Sequence, residues 1–152
     1  MCKNIIRFFY NDKVEQRFPK ATIICGVTHY NFWQGGKEML KQLNDTINYI
    51  EEHLLDEKVI DEAMKRVSVS ELHFKNVFFF LTGMSINEYV KNRRLSEANY
   101  DLLHGKKVTD IAFKYGYQSM DGFTRAFKNW CGFLPSEISS RGDIKCFPNL
   151  IS

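Results

Sequence analysis

Between Leu40 and Ser139, apolar residues return every three or four positions, the spacing that lines one face of a helix. Leu40, Leu43, Ile47, Ile50 and Leu54 form the first stripe, with Asn44, Asp45, Glu51 and Glu52 turned away. They predict a helix over roughly 39–55, ended by Asp56-Glu57-Lys58. A short helix over about 60–66 follows, then a turn at Ser68-Val69. Ser70 can cap the next helix by accepting from its exposed first-turn amides, and Thr82-Gly83 stops it after Leu81. Phe74, Val77, Phe78 and Leu81 face inward there. Ser85, with Glu88 three positions on, is a capping-box signature opening a long helix, Ile86–Leu103. Its apolar face is Tyr89, Leu95, Ala98 and Leu102, and it ends at His104-Gly105. A short helix over about 109–115, a turn at Gly116-Tyr117-Gln118, a Ser119 cap and a helix over 120–131 complete the pattern, with Gly132 as the stop. Phe123, Ala126, Phe127 and Trp130 are inward. Pro135, tolerated in a first turn, opens a last short helix to Ser139. The expected fold is all-α.

The pattern repeats. A shift of 49 residues lays Val59, Asp61, Ala63 and Lys65 on Val108, Asp110, Ala112 and Lys114. Without a gap it then lays Ser70, Phe74, Phe78, Gly83 and Glu88 on Ser119, Phe123, Phe127, Gly132 and Glu137. Each copy reads as helix, turn, helix, so the architecture is a tandem joined by the long helix.

Residues 1–38 are poorly patterned. Ile5–Tyr10 and Ala21–Val27 are short β-prone runs that could pair as a hairpin, and Gly35-Gly36 reads as a break. Gln34-Gly35-Gly36-Lys37-Glu38 before Met39 could also be a translated purine-rich ribosome-binding site, which would make Met39 the natural start. Both readings stay open, with a domain over 39–140 and a polar tail over 141–152.

Composition narrows the class. Hydrophobic content of 44% and charge of 26% are ordinary for a soluble globular chain, although Phe is frequent at 13 residues. No apolar run approaches the roughly 18 residues that span a bilayer, and the N-terminal apolar stretch is too short for a signal peptide. A cytoplasmic protein with no membrane contact is expected. Cys2, Cys25, Cys131 and Cys146 show no Cys-x-x-Cys pair and no His at zinc-ligand spacing, so free thiols and no metal are expected. The net charge of +3 argues little, because residues 39–142 hold 14 Lys/Arg and 14 Asp/Glu. What charge asymmetry exists is local: bases crowd Lys91-Asn92-Arg93-Arg94 and Lys106-Lys107.

A helix-turn-helix lays its second helix in the major groove, so that helix needs one apolar face to dock and one polar face to read bases. Leu72, Lys75 and Asn76 lie opposite the first apolar stripe. Asp121, Thr124 and Arg125, with Lys128 one turn on, lie opposite the second. Arg and Lys can donate to guanine, Asn can pair with adenine, and Thr can hydrogen-bond or touch a thymine methyl. With Ser70, His73, Ser119 and Met120 at the helix starts, these are the predicted DNA contacts. A connecting helix of roughly 18 residues is about 27 Å long, near the ~34 Å of one DNA turn. One chain could then read two successive major-groove segments, bending the DNA if the link is rigid.

Gly83-Met84-Ser85-Ile86-Asn87-Glu88-Tyr89-Val90 through Arg93-Arg94-Leu95 resembles the linker region of AraC/XylS-type regulators. Val108-Thr109-Asp110-Ile111-Ala112-Phe113-Lys114-Tyr115-Gly116-Tyr117 is similar to the family signature. So are Phe123-x-Arg125-Ala126-Phe127-Lys128 and Gly132-x-x-Pro135-Ser136-Glu137. The resemblance covers about 100 residues. It implies a seven-helix bacterial domain that binds double-stranded promoter DNA and activates transcription, with RNA polymerase as a second contact. Asn76 departs from the family's usual Arg, which implies a weaker first half-site. Phe79, Phe80 and Leu81 stand where charged residues are usual, and read as core or as a docking surface for a missing domain. Gly122, mid-helix, is expected to let the DNA backbone come close. In one subset of the family a gyrase-inhibitor-like effector domain follows, and Asp143–Pro148 resembles the linker to it. No effector ligand or cofactor is expected on this chain itself.

Two other classes bear on the same residues. A helical protein-interaction module would use the Phe-rich surface, and its binding would not weaken with salt as DNA binding does. An enzyme is not expected: no nucleophile–base pair, paired carboxylates or phosphate loop is present. The alkylation-repair relatives need a four-Cys cluster, where this chain has Cys2 and Cys25 before residue 39.

Overall fold

The computed structural model describes residues 28–141, and among them every regular element is a helix. In chain order these are α1 (Thr28–Glu52), α2 (Val59–Met64), α3 (Glu71–Thr82) and α4 (Ile86–Leu103), then α5 (Val108–Lys114), α6 (Met120–Cys131) and α7 (Pro135–Arg141). The β-prone runs at 5–10 and 21–27, and the tail from Gly142, lie outside the described residues. None of the described helices is long and apolar enough to cross a membrane.

α1 corrects an expectation. It begins at Thr28 rather than near Met39 and runs through Gly35-Gly36. Each glycine costs a helix interior only about 1 kcal/mol, and extending a formed helix is easier than nucleating one, so the pair does not break it. The other end comes early, at Glu52 rather than near 55. Beyond that end two loop carbonyls find donors on α4. Arg94 Nε donates to Leu54 O at 2.7 Å, and Arg94 Nη2 to Asp56 O at 2.8 Å. These bonds hold the segment after Glu52 against α4, in place of another turn of α1.

The remaining boundaries follow local chemistry. Ser70, Ser85 and Ser119 hold extended backbone, and their hydroxyls accept from the amides of His73, Glu88 and Gly122. Gly83 and Gly132 close α3 and α6 at φ of 76° and 89°, a left-handed conformation that side chains with a Cβ resist. The Glu137 carboxylate accepts from Leu134 N–H at 2.8 Å and steadies the start of α7.

Two apolar clusters form, one per repeat, and α4 feeds both. Ile86, Tyr89 and Val90 of α4 pack with Leu43, Ile47 and Ile50 of α1, with Ala63 of α2, and with Phe74 and Phe78 of α3. Leu95, Ala98 and Leu102 pack with Ile111 and Ala112 of α5, with Phe123 and Phe127 of α6, and with Ile138 of α7. Tyr89 meets Phe78 edge-on at 5.9 Å between ring centres, a favoured aromatic geometry.

A buried carboxylate ties the second unit together. Asp101 of α4 accepts from Lys106 Nζ and Lys114 Nζ, each at 2.6 Å, and from the Tyr115 hydroxyl at 3.0 Å. Burial pushes its pKa up, but the hydrogen bonds from Lys106, Lys114 and Tyr115 outweigh burial and hold it below the usual 3.8. Because the folded value is the lower one, the stabilisation is fully present above about pH 4. It is lost as pH falls from 3.8 through the folded value. Asp101→Asn is expected to be less stable than the parent at pH 7 and to converge with it in acid, read by urea unfolding from pH 7 to pH 2. A constant gap across that range would refute the linkage.

Candidate nucleic-acid interface

α3 and α6 are the second helices of their units, and each turns one face outward because the other fills a core. In α3, Phe74 and Phe78 are fully buried and Leu81 packs beside them. In α6, Phe123 and Phe127 are fully buried, with Trp130 beside them. These match the inward stripes expected from the sequence except at Val77 and Ala126, which are only half-buried and stand outside the two clusters.

The outward faces carry the predicted contacts. Ser70, Leu72, His73 and Asn76 are exposed at the start of α3, and Lys75 is half-buried. Ser119, Met120, Asp121, Arg125 and Lys128 are exposed on α6, and Thr124 is half-buried. The structure thus brings the residues of each set onto one helix face. Lys75 is committed within its own helix, where its ammonium pairs with Glu71 one turn earlier. Arg125 and Lys128 make no ion pair among the described residues. A Cβ on Gly122 would lie 3.2 Å from Ser119 Oγ, so glycine there relieves the cap as well as thinning the surface.

One expectation changes, and the crowded bases find partners that the sequence did not announce. Phe79 and Phe80 are not core: both are 58% exposed. The stripe through Phe74, Phe78 and Leu81 leaves them on the far side at helical spacing. Of the crowded bases of α4, Arg93 and Arg94 are half-buried and paired within the fold, while Lys91 stays exposed. Arg93 is hydrogen-bonded to Glu51 and Glu97, and Arg94 grips the carbonyls after α1. Lys106 and Lys114 are drawn to Asp101. Of these partners only Glu97, one turn after Arg93, and Asp101, five residues before Lys106, lie near in sequence, and the place of Asp101 three residues after Ala98, on the flank of the apolar stripe, was an available signal.

Arg94 also stands where the units meet. Besides its two carbonyls, its Nη1 would lie 3.8 Å from a Cβ at Gly116, in the turn before α6. Leu55, Glu57, Arg94, Gly116, Tyr117 and Gln118 line the cleft there. One side chain therefore lies between the loop that leads into the first helix-turn-helix and the turn of the second. The free thiol of Cys131 lies 3.5 Å from the Phe133 backbone and has no metal-binding neighbours among the described residues.

Two capped helix-turn-helix units on one continuous helix define a tandem helix-turn-helix domain. Residues 63–141, just over half of the chain, match the family described as "Helix-turn-helix domain". YbfP of Bacillus subtilis, named an uncharacterized HTH-type transcriptional regulator, is 37% identical over 89 residues, which is 58% of this chain and 30% of that protein. AarP of Providencia stuartii, an HTH-type transcriptional activator, is 30% identical over 62% of this chain and 70% of its own length. PqrA of Proteus vulgaris, a probable transcription factor, is 32% identical over 69% of this chain and 91% of its own length. The chain spans under a third of YbfP but most of AarP and PqrA. It belongs to the AraC-type helix-turn-helix family of transcriptional regulators.

Proposed function

We propose that this chain is a sequence-specific DNA-binding transcriptional regulator, acting as an activator, which lays α3 and α6 in two successive major-groove segments of promoter DNA. The observation that carries this is the duplication. Both units bury the same Phe pair, start the second helix on a serine cap, stop it on a left-handed glycine, and leave an outer face free. The α4 helix that joins them has 18 residues and is therefore about 27 Å long, a length close to one DNA turn. Arg125 and Lys128 would donate to guanine or phosphate, Thr124 and Asn76 to base edges, and the amides at Ser70 and Ser119 to phosphates. The relative named as an activator supports the sign of regulation; RNA polymerase is the second contact in this proposal.

Selection of bound DNA from a random pool by the full chain tests this. Two short blocks about 10 base pairs apart are expected. Arg125→Ala should weaken the selected site by about tenfold or more and relax one block, while Lys128→Ala should reduce the salt slope by about one. No selected sequence, with binding indifferent to salt, would overturn the proposal. It would favour a second reading, a protein-interaction module, for which the exposed Phe79-Phe80 pair is the specific observation.

A further inference from the structure

The two outer faces are alike in geometry and opposite in chemistry. The 49-residue repeat lays Leu72 on Asp121, Asn76 on Arg125, Phe79 on Lys128 and Phe80 on Asn129. On α6 this face is charged and polar. On α3 it is mostly apolar, around one amide and one imidazole: Leu72 is 70% exposed, Phe79 and Phe80 are each 58% exposed, and His73 and Asn76 are exposed beside them. The cation of α3, Lys75, is held by Glu71.

We infer that α3 reads an A·T block, with Leu72 against thymine methyls and Asn76 on adenine, while α6 reads a block containing guanine. This rests on the proposal that α3 enters the major groove. Recognition helices contact base edges with their N-terminal residues, and Leu72 and Asn76 occupy the first two turns. The thymine C5-methyl is the apolar group a leucine can meet in the major groove, and adenine presents the donor–acceptor pair an asparagine side chain matches. Guanine offers two acceptors there, and the exposed α3 residues supply no unpaired Arg or Lys to meet them. Phe79 and Phe80 lie about 10 Å further along the axis, where the helix leaves the base edges, and would pack on sugar carbons.

The test uses the full chain and its selected DNA. Arg125→Ala assigns one block to α6, and the other is expected to be A·T. Replacing thymine by uracil in that block, which removes only the methyl, should weaken binding about fourfold per contacted methyl. The same replacement in the α6 block should have no effect. Leu72→Ala, a change at an exposed position that spares the core, should abolish the distinction between thymine and uracil. Asn76→Ala should abolish the adenine preference. A guanine-containing α3 block, an A·T block indifferent to uracil, or a single block from α6 alone would overturn this inference and leave DNA binding standing. Failure to select any sequence would overturn both.

Discussion

Phe127→Ala is expected to destabilise the chain by about 3–5 kcal/mol, the cost of removing a fully buried ring that neighbours cannot refill. Phe127 has no exposed surface and stands 5.5 Å from the Phe123 ring centre and 5.8 Å from that of Trp130. A loss of that size is a large share of the ~5–15 kcal/mol that holds an ordinary domain folded. It should not fall evenly. Phe127 belongs to the cluster of α5, α6, α7 and the second half of α4, whereas α1, α2 and α3 pack on the first half. Amide hydrogen exchange should therefore accelerate in α5 and α6 well before α2 and α3. Phe78→Ala, the repeat-related change, should show the reverse order. Equal acceleration in both halves would mean that α4 couples the clusters into one unit, and a loss under about 1 kcal/mol would mean the ring is not tightly packed.

What the sequence made legible follows the range of the forces involved. The caps at Ser70, Ser85 and Ser119 and the stops at Gly83 and Gly132 act within one turn, so their residues announce them. The inward stripes were legible because burial follows the 3.6 period, and the same rule applied to Phe79 and Phe80 would have placed them outside. The start of α1 was not legible: a Gly-Gly pair is a weak signal against the cooperativity of a helix already formed. Nor were the partners of the α4 bases. Arg94 reaches a carbonyl 40 residues back and Arg93 a carboxylate 42 back, and those contacts exist only once α1 has folded onto α4. The candidate interface was legible as a list of positions. Its asymmetry required the exposure of Leu72, Phe79 and Phe80 and the pairing of Lys75 with Glu71.

The α1–α4 contact sets up the second large effect. Arg93→Ala is expected to cost about 3–5 kcal/mol, because it strips the counter-charge from a nearly buried carboxylate. The Arg93 and Glu51 side chains keep only 12% and 13% of their surface exposed. Arg93 Nε donates to both Glu51 oxygens, at 3.0 and 3.1 Å, and Nη2 to Oε2 at 3.0 Å, while the Tyr89 hydroxyl donates to Oε1 at 2.6 Å. Burial alone would lower the guanidinium's pKa; the hydrogen bonds and charge of Glu51, with Glu97 beside it, outweigh burial and raise it instead. Glu97 contributes little by itself, since it is 44% exposed and such i,i+4 pairs are worth about 0.3–0.5 kcal/mol. Most of the expected loss is therefore the stranded Glu51 charge, which gives the prediction its decisive form. The double variant Arg93→Met, Glu51→Leu removes both charges and should recover most of the stability lost by Arg93→Ala. Urea midpoints of the parent, Arg93→Met, Glu51→Leu and the double variant would close the cycle. A small loss in Arg93→Ala would mean that water reaches Glu51, and a double variant no better than the single would mean that the hydrogen-bond geometry, rather than the charge, joins α1 to α4.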